Sequence, residues 1–215
     1  MIIGPDRLRK PLMFLWLIIF LIVGSNLFLP SPLLNIIDNF TFNFQNLFLP
    51  TWLLTIAAPF TWFSHGFGNA ILIFLLIFLL WGFKYKIPAA WLLLTNLSGW
   101  LLISMLTLLL KHHIAGGETA FPNVAIFFTT LLITYLYNIV LPELTKVRYQ
   151  ILLQIFCILT FLTTIVYEIG HRIAVPTDLL AGWLLALIWL SLAELMYVKY
   201  AKPMRRRVIF RNSWY

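Results

Sequence analysis

Residues 167–185, YEIGHRIAVPTDLLAGWLL, join two long apolar stretches of the sequence through a short polar turn. Predominantly apolar residues fill positions 149–167 and 179–198 on either side of that turn. Each stretch is long enough to cross about 30 Å of hydrocarbon as an α-helix. The second half, PTDLLAGWLL, reads as the opening of the later helix. The segment therefore predicts two membrane helices that meet in a polar corner at one face of the membrane.

The chain as a whole is much more apolar than a soluble protein. Hydrophobic residues make up 62% of its 215 residues and charged residues only 10%, whereas soluble domains average about 45–50% and about 25%. This composition argues against a soluble globular protein and predicts a polytopic membrane protein. The length predicts a single transmembrane domain over residues 1–215.

Six apolar runs predict six membrane-spanning helices, at about residues 12–29, 66–83, 87–110, 124–141, 149–167 and 179–198. With an even number of spans, both termini lie on one side. All of the 15 lysines and arginines except Lys111 and Arg172 map to that side, including those of the basic tail 199–215. The positive-inside rule makes that side the cytoplasm. The compact chain favours a bacterial plasma membrane, with both termini cytoplasmic.

Residues 33–48 have a different pattern from the six runs. Their apolar residues recur at helical spacing with polar residues between them: Leu33, Ile36, Ile37, Phe40, Phe44, Leu47 and Phe48. This pattern predicts an amphipathic helix lying on the outer leaflet. The predicted fold class is an all-α membrane protein, with six transmembrane helices and one outer interfacial helix.

Polar residues gather on the outer side. All four histidines and four of the seven acidic residues map there: His65, His112, His113, His171, Asp38, Glu118, Glu168 and Asp178. Polar groups near a membrane are costly unless they face one another, water or a ligand, so this clustering indicates a site, although ordinary polar loops would also account for some of the histidines. No histidine pair has a dependable metal-ligand spacing, so we predict neither a metal nor a cofactor.

Three short motifs on the outer side carry a family resemblance. The third run ends in LTLLLK at Lys111, the next loop contains AFPNVA, and the last run opens with PTD at Asp178. This order resembles the membrane-bound type 2 phosphatidic acid phosphatase family, whose motifs are K-x6-R-P, P-S-G-H and S-R-x5-H-x3-D. The resemblance covers nearly the whole chain in layout and implies the helical bundle of that family.

The motifs depart from the family pattern at its reactive positions. Lys111 and Asp178 match, whereas Asn123 stands at the serine position of the second motif, and the arginine and histidine positions are changed as follows: Glu118 and Glu168 for arginine, Ala125 and Ala174 for histidine. The resemblance implies a histidine nucleophile, a histidine acid and a cationic clamp for the phosphoryl oxygens. Alanine cannot attack or donate a proton, and glutamate repels phosphate, so the family reaction is predicted to be absent.

Other polar residues could replace the missing ones: His112, His113, His171 and Arg172. If the chain were helical there, His171 would lie about one turn, roughly 5 Å, from Ala174. Such a displacement is large for catalytic geometry, and a phosphate clamp would still be missing. We also predict that Lys111 and Arg172 neutralise three of the four outer acidic side chains, Glu118, Glu168 and Asp178, in an ion-pair network.

The function predicted from these observations is a catalytically inactive relative of the type 2 phosphatidic acid phosphatases. It would bind membrane lipids, including lipid phosphates at the outer face, or regulate a membrane-protein partner or a second copy of itself. Two alternatives stay open: an active lipid-phosphate or isoprenyl-diphosphate phosphatase with a site rearranged around His171, and a small transporter or flippase. The net charge of +8 is mostly the membrane sorting signal, so no nucleic acid is expected as a partner.

Overall fold

The computed structural model describes residues 8–29, 31–114, 117–207, 210 and 213, apart from the side chains of Asn46 and Phe48. Arg7 and Arg211, two of the basic residues that define the predicted orientation, lie outside the described residues. The first five helices are α1 (Arg9–Ser25), α2 (Pro32–Phe48), α3 (Thr51–Thr61), α4 (Gly66–Gly82) and α5 (Lys86–Leu109). An antiparallel hairpin and three helices follow: β1 (Lys111–Ile114), β2 (Gly117–Ala120), α6 (Val124–Tyr135), α7 (Val147–Gly170) and α8 (Pro176–Met204).

Five segments of the described chain are long and apolar enough to cross a membrane, judged by length and composition: Thr51–Gly82, Lys86–Leu109, Val124–Glu143, Val147–Gly170 and Pro176–Met204. They indicate a membrane-embedded protein built mainly of helices, as the sequence predicts. Each of the last five predicted runs overlaps one of these segments, and only residues 83 and 110 fall outside. The first, residues 12–29, lies mostly in α1, which ends at Ser25 and has 17 residues.

The amphipathic segment 33–48 is a helix, as predicted, and lies in α2. Its apolar residues point away from the bundle: Leu33, Ile36, Ile37, Phe40, Phe44 and Leu47 are all exposed. Asp38 and Gln45 point inward and are buried, together with Phe42. Asp38 and Gln45 therefore dock α2 on the rest of the protein, and its apolar face is left outside.

Helix α3 and the turn after it were not predicted from the sequence. Pro59 lies in the last turn of α3, where its ring and missing N–H favour the end of a helix. Gly68 packs directly against the backbone of that turn. A Cβ at position 68 would lie 1.9 Å from the carbonyl oxygen of Trp62, which is too close for a side chain. The turn brings His65 to the same end of the bundle as the polar corner 168–178.

Helix α8 is the central element of the bundle. It packs against α1, α5 and α6, and half of its most apolar window is buried. Helix α7 is more peripheral, with 17% of its corresponding window buried, and it packs on α3 and α6. The largest group of buried apolar side chains comes from α4, α5, α6 and α8 and includes Leu92, Phe127, Leu131 and Ala186.

The two ends of the bundle are chemically different. We call the end that carries β1 and β2 the hairpin end; the α3–α4 turn, the end of α7 and the beginnings of α6 and α8 lie there. We call the other end, which carries the α4–α5 turn and the end of α8, the tail end. There Trp91 of α5 donates a hydrogen bond to the Ala193 carbonyl of α8, over 3.0 Å. The acidic and imidazole side chains discussed next lie at the hairpin end.

Candidate functional site at the hairpin end

The β-hairpin brings His112 to Asp178. Side chains alternate along β1, so Lys111 and His113 are exposed while His112, between them, is turned inward and buried. The Nδ1 of His112 lies 2.8 Å from Oδ1 of Asp178, and neither side chain is more than 4% exposed. The other carboxylate oxygen, Oδ2, accepts the N–H of Val175 over 3.2 Å at the start of α8. Asp178 therefore both orients His112 and caps α8.

Two opposing influences act on the ionisation of His112. Burial, the largest single influence, lowers its pKa, but the hydrogen bond to Asp178 and the negative charges of Asp178 and Asp38 together outweigh burial. The net result is a pKa above the usual value of 6.5. The folded protein therefore favours the protonated imidazole, and this ring is a pH-sensitive group of the candidate site.

We expect the melting temperature in detergent micelles to fall as the pH rises from about 6.5 through the folded-state pKa of His112. A raised folded-state pKa contributes stability below the unfolded-state pKa, and this contribution is lost at higher pH. The measurement is tryptophan fluorescence during heating at a series of pH values. His112→Gln, which cannot titrate, should melt lower with a shallower pH dependence, whereas a slope equal to that of the wild type would contradict this assignment.

A second carboxylate, Glu168 of α7, is also enclosed by protein groups. One oxygen lies 2.7 Å from Nε2 of His65, and the other accepts a hydrogen bond from Nδ2 of Asn123 over 2.6 Å. Glu168 is 1% exposed. Nδ1 of His65 lies 3.0 Å from the Thr61 carbonyl oxygen, so both ring nitrogens of His65 are engaged within the protein. His65 therefore holds the α3–α4 turn to α7.

Asn123 connects the two residues that carry these carboxylates, Glu168 and Asp178. Its side chain reaches Glu168, while its backbone N–H donates to the Asp178 carbonyl oxygen over 3.1 Å. Its Oδ1 accepts the N–H of Ile126 over 2.9 Å and so caps α6. Position 123, a motif position in the family resemblance, is thus occupied by a residue that joins α6, α7 and α8.

Asp38 of α2 is a further member of the cluster; it is one of the outer polar residues of the sequence but was not predicted as a candidate site residue. It is fully buried and accepts two hydrogen bonds from Thr177: the backbone N–H at 3.2 Å and the hydroxyl at 2.6 Å. Burial raises the pKa of Asp38, although the bonds from Thr177 and the charge of His112 act against that rise. The sequence feature that could have identified Asp38 is an acidic residue among the apolar residues of 33–48, because a carboxylate buried there needs a hydrogen-bond partner.

Asp38 and Asp178 together satisfy the beginning of α8. The first backbone N–H groups of any helix lack partners within the helix, and the helix dipole favours negative charge at this end. Here the N–H of Val175 is bonded to Asp178 and that of Thr177 to Asp38. Both carboxylates thus have a structural task that accounts for their burial.

The predicted ion-pair network of Lys111 and Arg172 is only partly present. Nζ of Lys111 lies 3.7 Å from Glu118, and His113 also contacts Glu118, but these side chains are more than half exposed. Glu168 and Asp178 are paired with histidines instead, so the prediction was wrong for those two acids. The reason is that the turn at 62–65 and the hairpin deliver imidazoles to the buried acids, while strand alternation points Lys111 outward.

The pair His171 and Arg172 lies in the non-helical turn between α7 and α8. Since α7 ends at Gly170, the helical placement of His171 relative to Ala174 does not occur. His171 is exposed and stacks on Tyr167, with ring centroids 4.1 Å apart. Ala174 and Ala125, at the two histidine positions of the resemblance, are buried apolar packing residues.

Arg172 is held by α2 rather than by a carboxylate. Its φ of 56° is in the left-handed region that favours glycine, at the turn that ends α7. The guanidinium lies over the ring of Phe42, 5.6 Å from the centroid. With the Gln45 amide oriented so that its oxygen faces Arg172, that oxygen accepts from Nε over 2.6 Å. Arg172 therefore fastens the turn to α2, outside the acidic cluster.

We call the cluster of Asp38, His65, His112, Asn123, Glu168 and Asp178 the hairpin-end site. In the described part of the chain, neither a lysine nor an arginine forms an ion pair with its three carboxylates. The described residues also contain no group of three His, Cys, Asp or Glu side chains able to hold a metal ion. The positive charge that this site can supply is therefore that of its imidazoles, and carboxylates outnumber them.

The chain matches no protein-family model, no curated protein and no solved structure. The resemblance to the type 2 phosphatidic acid phosphatases therefore stays a prediction from its motifs.

Proposed function

We propose that this chain is a non-hydrolysing membrane protein with the bundle layout of the type 2 phosphatidic acid phosphatases, acting as a lipid-binding or partner subunit. The observation that carries the proposal is the closure of the hairpin-end site. Glu168, at a family arginine position, is bonded to His65 and Asn123, while Asp178 is bonded to His112 and Val175. These side-chain groups are therefore hydrogen-bonded within the protein instead of being available to a phosphate ester.

The charge of the site also argues against phosphoryl transfer. The transferring group carries negative charge over its oxygens and needs preorganised cations around it. Asp38, Glu168 and Asp178 are three buried acidic side chains, so even with His65 and His112 both protonated the site offers no surplus of cationic groups over acidic ones. Arg172, the cation nearest in sequence, is fastened to α2 by Phe42 and Gln45.

His65 is poorly placed to donate a proton to a leaving group. In a buried site, an acid must present its proton toward the substrate. Both nitrogens of His65 are engaged, one with Glu168 and one with the Thr61 carbonyl. His65 thus fits a structural role better than that of a general acid.

In the proposed topology α1 is a sixth span, and both termini are cytoplasmic in a bacterial plasma membrane. The 17 residues of α1 extend about 26 Å at 1.5 Å per residue, and flanking residues would complete a crossing. Its close packing on α8, itself long enough to span, supports this placement. The hairpin end would then face the outside, and the Lys- and Arg-rich tail end the cytoplasm.

The binding role is supported by the exposed apolar face of α2. Its outward residues include Ile36, Phe40 and Leu47, while Asp38 fixes the helix to α8. An apolar helix face beside the predicted outer membrane surface fits the acyl region of a lipid leaflet. Under this proposal the chain works through contacts with membrane lipids, or with a protein partner in the same leaflet, rather than through turnover.

One observation favours a second candidate, a phosphatase that uses His112. Asp178 holds Nδ1, which leaves Nε2 of His112 as the nitrogen able to attack phosphorus, and an orienting carboxylate on the other nitrogen is the usual arrangement for an active histidine. Attack would form a phosphorus–nitrogen bond and expel an alkoxide or phosphate leaving group. The lack of a cationic clamp and of a placed proton donor makes this the weaker candidate.

The experiment that tests the proposal is phosphate release by the purified protein in nanodiscs containing phosphatidic acid or an isoprenyl diphosphate. We expect wild type and His112→Ala to release no more phosphate than empty nanodiscs. Release by the wild type that is lost in His112→Ala would replace the proposal with the second candidate. Release lost in His171→Ala, with His112→Ala unaffected, would instead support a site rearranged around His171.

A further inference from the structure

A groove of about 310 Å³ lies between α6, α7 and α8. On α7 it is lined by residues near the middle of the helix: Cys157, Ile158, Phe161 and Leu162. All three helices belong to segments that are long and apolar enough to cross a membrane. The groove therefore lies at the depth of the hydrocarbon, between the hairpin end and the tail end. We call it the lateral groove.

The lateral groove has a buried floor and an exposed edge. Thr130 of α6 and Cys157 of α7 line it and are buried. Ile158 and Leu162 of α7 and Trp183 of α8 also line it, and these three side chains are exposed at the surface of the bundle. The groove therefore opens sideways, toward the hydrocarbon that surrounds a membrane-embedded helix.

The lining of the lateral groove suits an apolar ligand. Most of its side chains are aliphatic or aromatic. Its two threonines keep their hydroxyl protons within α6, because Thr130 donates to the Ile126 carbonyl over 2.7 Å and Thr134 to the Thr130 carbonyl over 2.8 Å. Apolar cavities stay dry and take apolar ligands. The groove therefore favours hydrocarbon over water or an ion.

The volume of the lateral groove matches part of a lipid chain. An apolar cavity of about 150 Å³ in another protein holds benzene, which has six carbon atoms, so a groove about twice that size has room for a chain segment of roughly a dozen carbons. A chain lying there would contact three helices at once, whereas a chain beside a single exposed helix contacts one. The additional dispersion contacts favour a chain that stays in the groove over one that exchanges with bulk lipid.

Trp183 adds a hydrogen-bond donor to the edge of the lateral groove. The indole N–H groups of Trp91 and Trp189 donate to backbone carbonyls over 3.0 Å, whereas that of Trp183 donates to none of the described residues. Trp183 lies in the part of α8 nearer the hairpin end, and helical side chains tilt toward the N-terminus of their helix, which for α8 is the hairpin end. Tryptophan combines an apolar ring with a polar N–H and is enriched where hydrocarbon meets the polar part of lipids. Its free donor therefore suits an ester carbonyl of a lipid.

We propose that the lateral groove binds one acyl chain of a phospholipid in the outer leaflet, and that an ester carbonyl of this lipid accepts the indole N–H of Trp183. The inference rests on the lipid-binding role proposed above and gives that role a defined position, separate from the apolar face of α2. The bound chain covers the floor of the groove and joins α7, the more peripheral helix, to α6 and α8.

Native mass spectrometry tests this proposal with palmitoyl-oleoyl phosphatidylglycerol as the probe. The protein would be taken from nanodiscs of this lipid into detergent and washed, which removes loosely held lipid. We expect wild type to keep one phospholipid, and folded Leu187→Trp, which places a larger side chain in the groove, to keep it several-fold less often. Phe78→Trp on the exposed face of α4 is the matched control and should equal wild type. Wild type without lipid, a second protein chain in place of the lipid, or undiminished retention in Leu187→Trp would overturn the proposal.

Trp183→Phe tests the ester contact separately, because it keeps an aromatic ring and removes the N–H. Retention of the phospholipid should fall several-fold in this variant and stay unchanged in Trp100→Phe, which alters an exposed tryptophan of α5. Equal retention in the two variants would contradict the assigned contact. Phosphate release by the same wild-type sample separates this inference from the proposed function. Retention accompanied by release would overturn the non-hydrolysing function alone, and neither retention nor release would overturn the groove proposal alone.

Discussion

Replacing Asp178 with alanine should lower the free energy of unfolding by about 3–5 kcal/mol, the usual cost of removing one partner from a buried charged pair. The substitution leaves the imidazole of His112 buried without its partner and removes the acceptor for the Val175 N–H. The bond from the Asn123 N–H to the carbonyl oxygen of residue 178 is kept, because that oxygen belongs to the backbone, so the expected loss comes from the side-chain contacts. Reversible unfolding in mixed micelles, followed by tryptophan fluorescence, would measure the change.

Lys111→Ala is the matched control for Asp178→Ala. Lys111 neighbours His112 in β1, but it is 64% exposed and its partner Glu118 is 53% exposed. Exposed pairs of this kind are worth at most about 1 kcal/mol. A large loss of stability in Lys111→Ala, or a loss below about 1 kcal/mol in Asp178→Ala, would mean that the stabilising network is the predicted lysine network and not the histidine–carboxylate pairs.

Gly182→Ala should destabilise the protein by about 1–3 kcal/mol, although alanine is the better helix former. A Cβ at Gly182 would lie 2.4 Å from the carbonyl oxygen of Asn123 and 3.2 Å from its carbonyl carbon. These are backbone atoms, which cannot rotate away, so the beginning of α6 would have to move off α8. Because Asn123 holds Glu168, the movement would disturb the hairpin-end site as well.

Gly82→Ala provides the control for this substitution. Gly82 is the last residue of α4, and a Cβ there would meet nothing within 4 Å. We expect a change of less than about 1 kcal/mol, in the stabilising direction if helix propensity dominates. Equal effects of the two substitutions in the same unfolding assay would show that close contact between α6 and α8 does not limit position 182.

The helices could be predicted from the sequence because each is a continuous apolar run, and hydrocarbon leaves the backbone few other structures. The run at 149–167 falls within α7, and all but the last residue of the run at 87–110 fall within α5. The short helix α3 gave no separate signal, since its apolar residues merge with those of α4. Only the Gly68 contact with Trp62 reveals why the chain must turn there.

The partners within the candidate site could not be predicted, because they join residues far apart in the sequence. His112 and Asp178 are 66 residues apart, and His65 and Glu168 are 103 apart. Neither pair belongs to a periodic pattern or to a motif of fixed spacing in the sequence that would link its two members. The sequence did indicate that these residues share the outer side, but which acid meets which histidine depends on the hairpin register and on the turn after α3.

The polar corner 168–178 illustrates both outcomes. Its last residue, Asp178, was predicted as a site residue because it matches the aspartate of the resembled motif, and it is bonded to His112 in the cluster. His171 and Arg172, which kept open the possibility of a rebuilt site, lie in the turn and contact Tyr167 and α2. The histidine that reaches Asp178 comes from β1 instead. The question of catalysis therefore rests on His112.

The most direct test of the non-hydrolysing account is a search for phosphohistidine. The protein would be incubated with phosphatidic acid or an isoprenyl diphosphate, quenched without acid and digested, and the peptide containing His112 analysed by mass spectrometry. We predict an unmodified peptide in the wild type and in Asp178→Asn alike. A phosphoryl group on His112 that forms with substrate and is lost in Asp178→Asn would contradict the account and make this chain an enzyme.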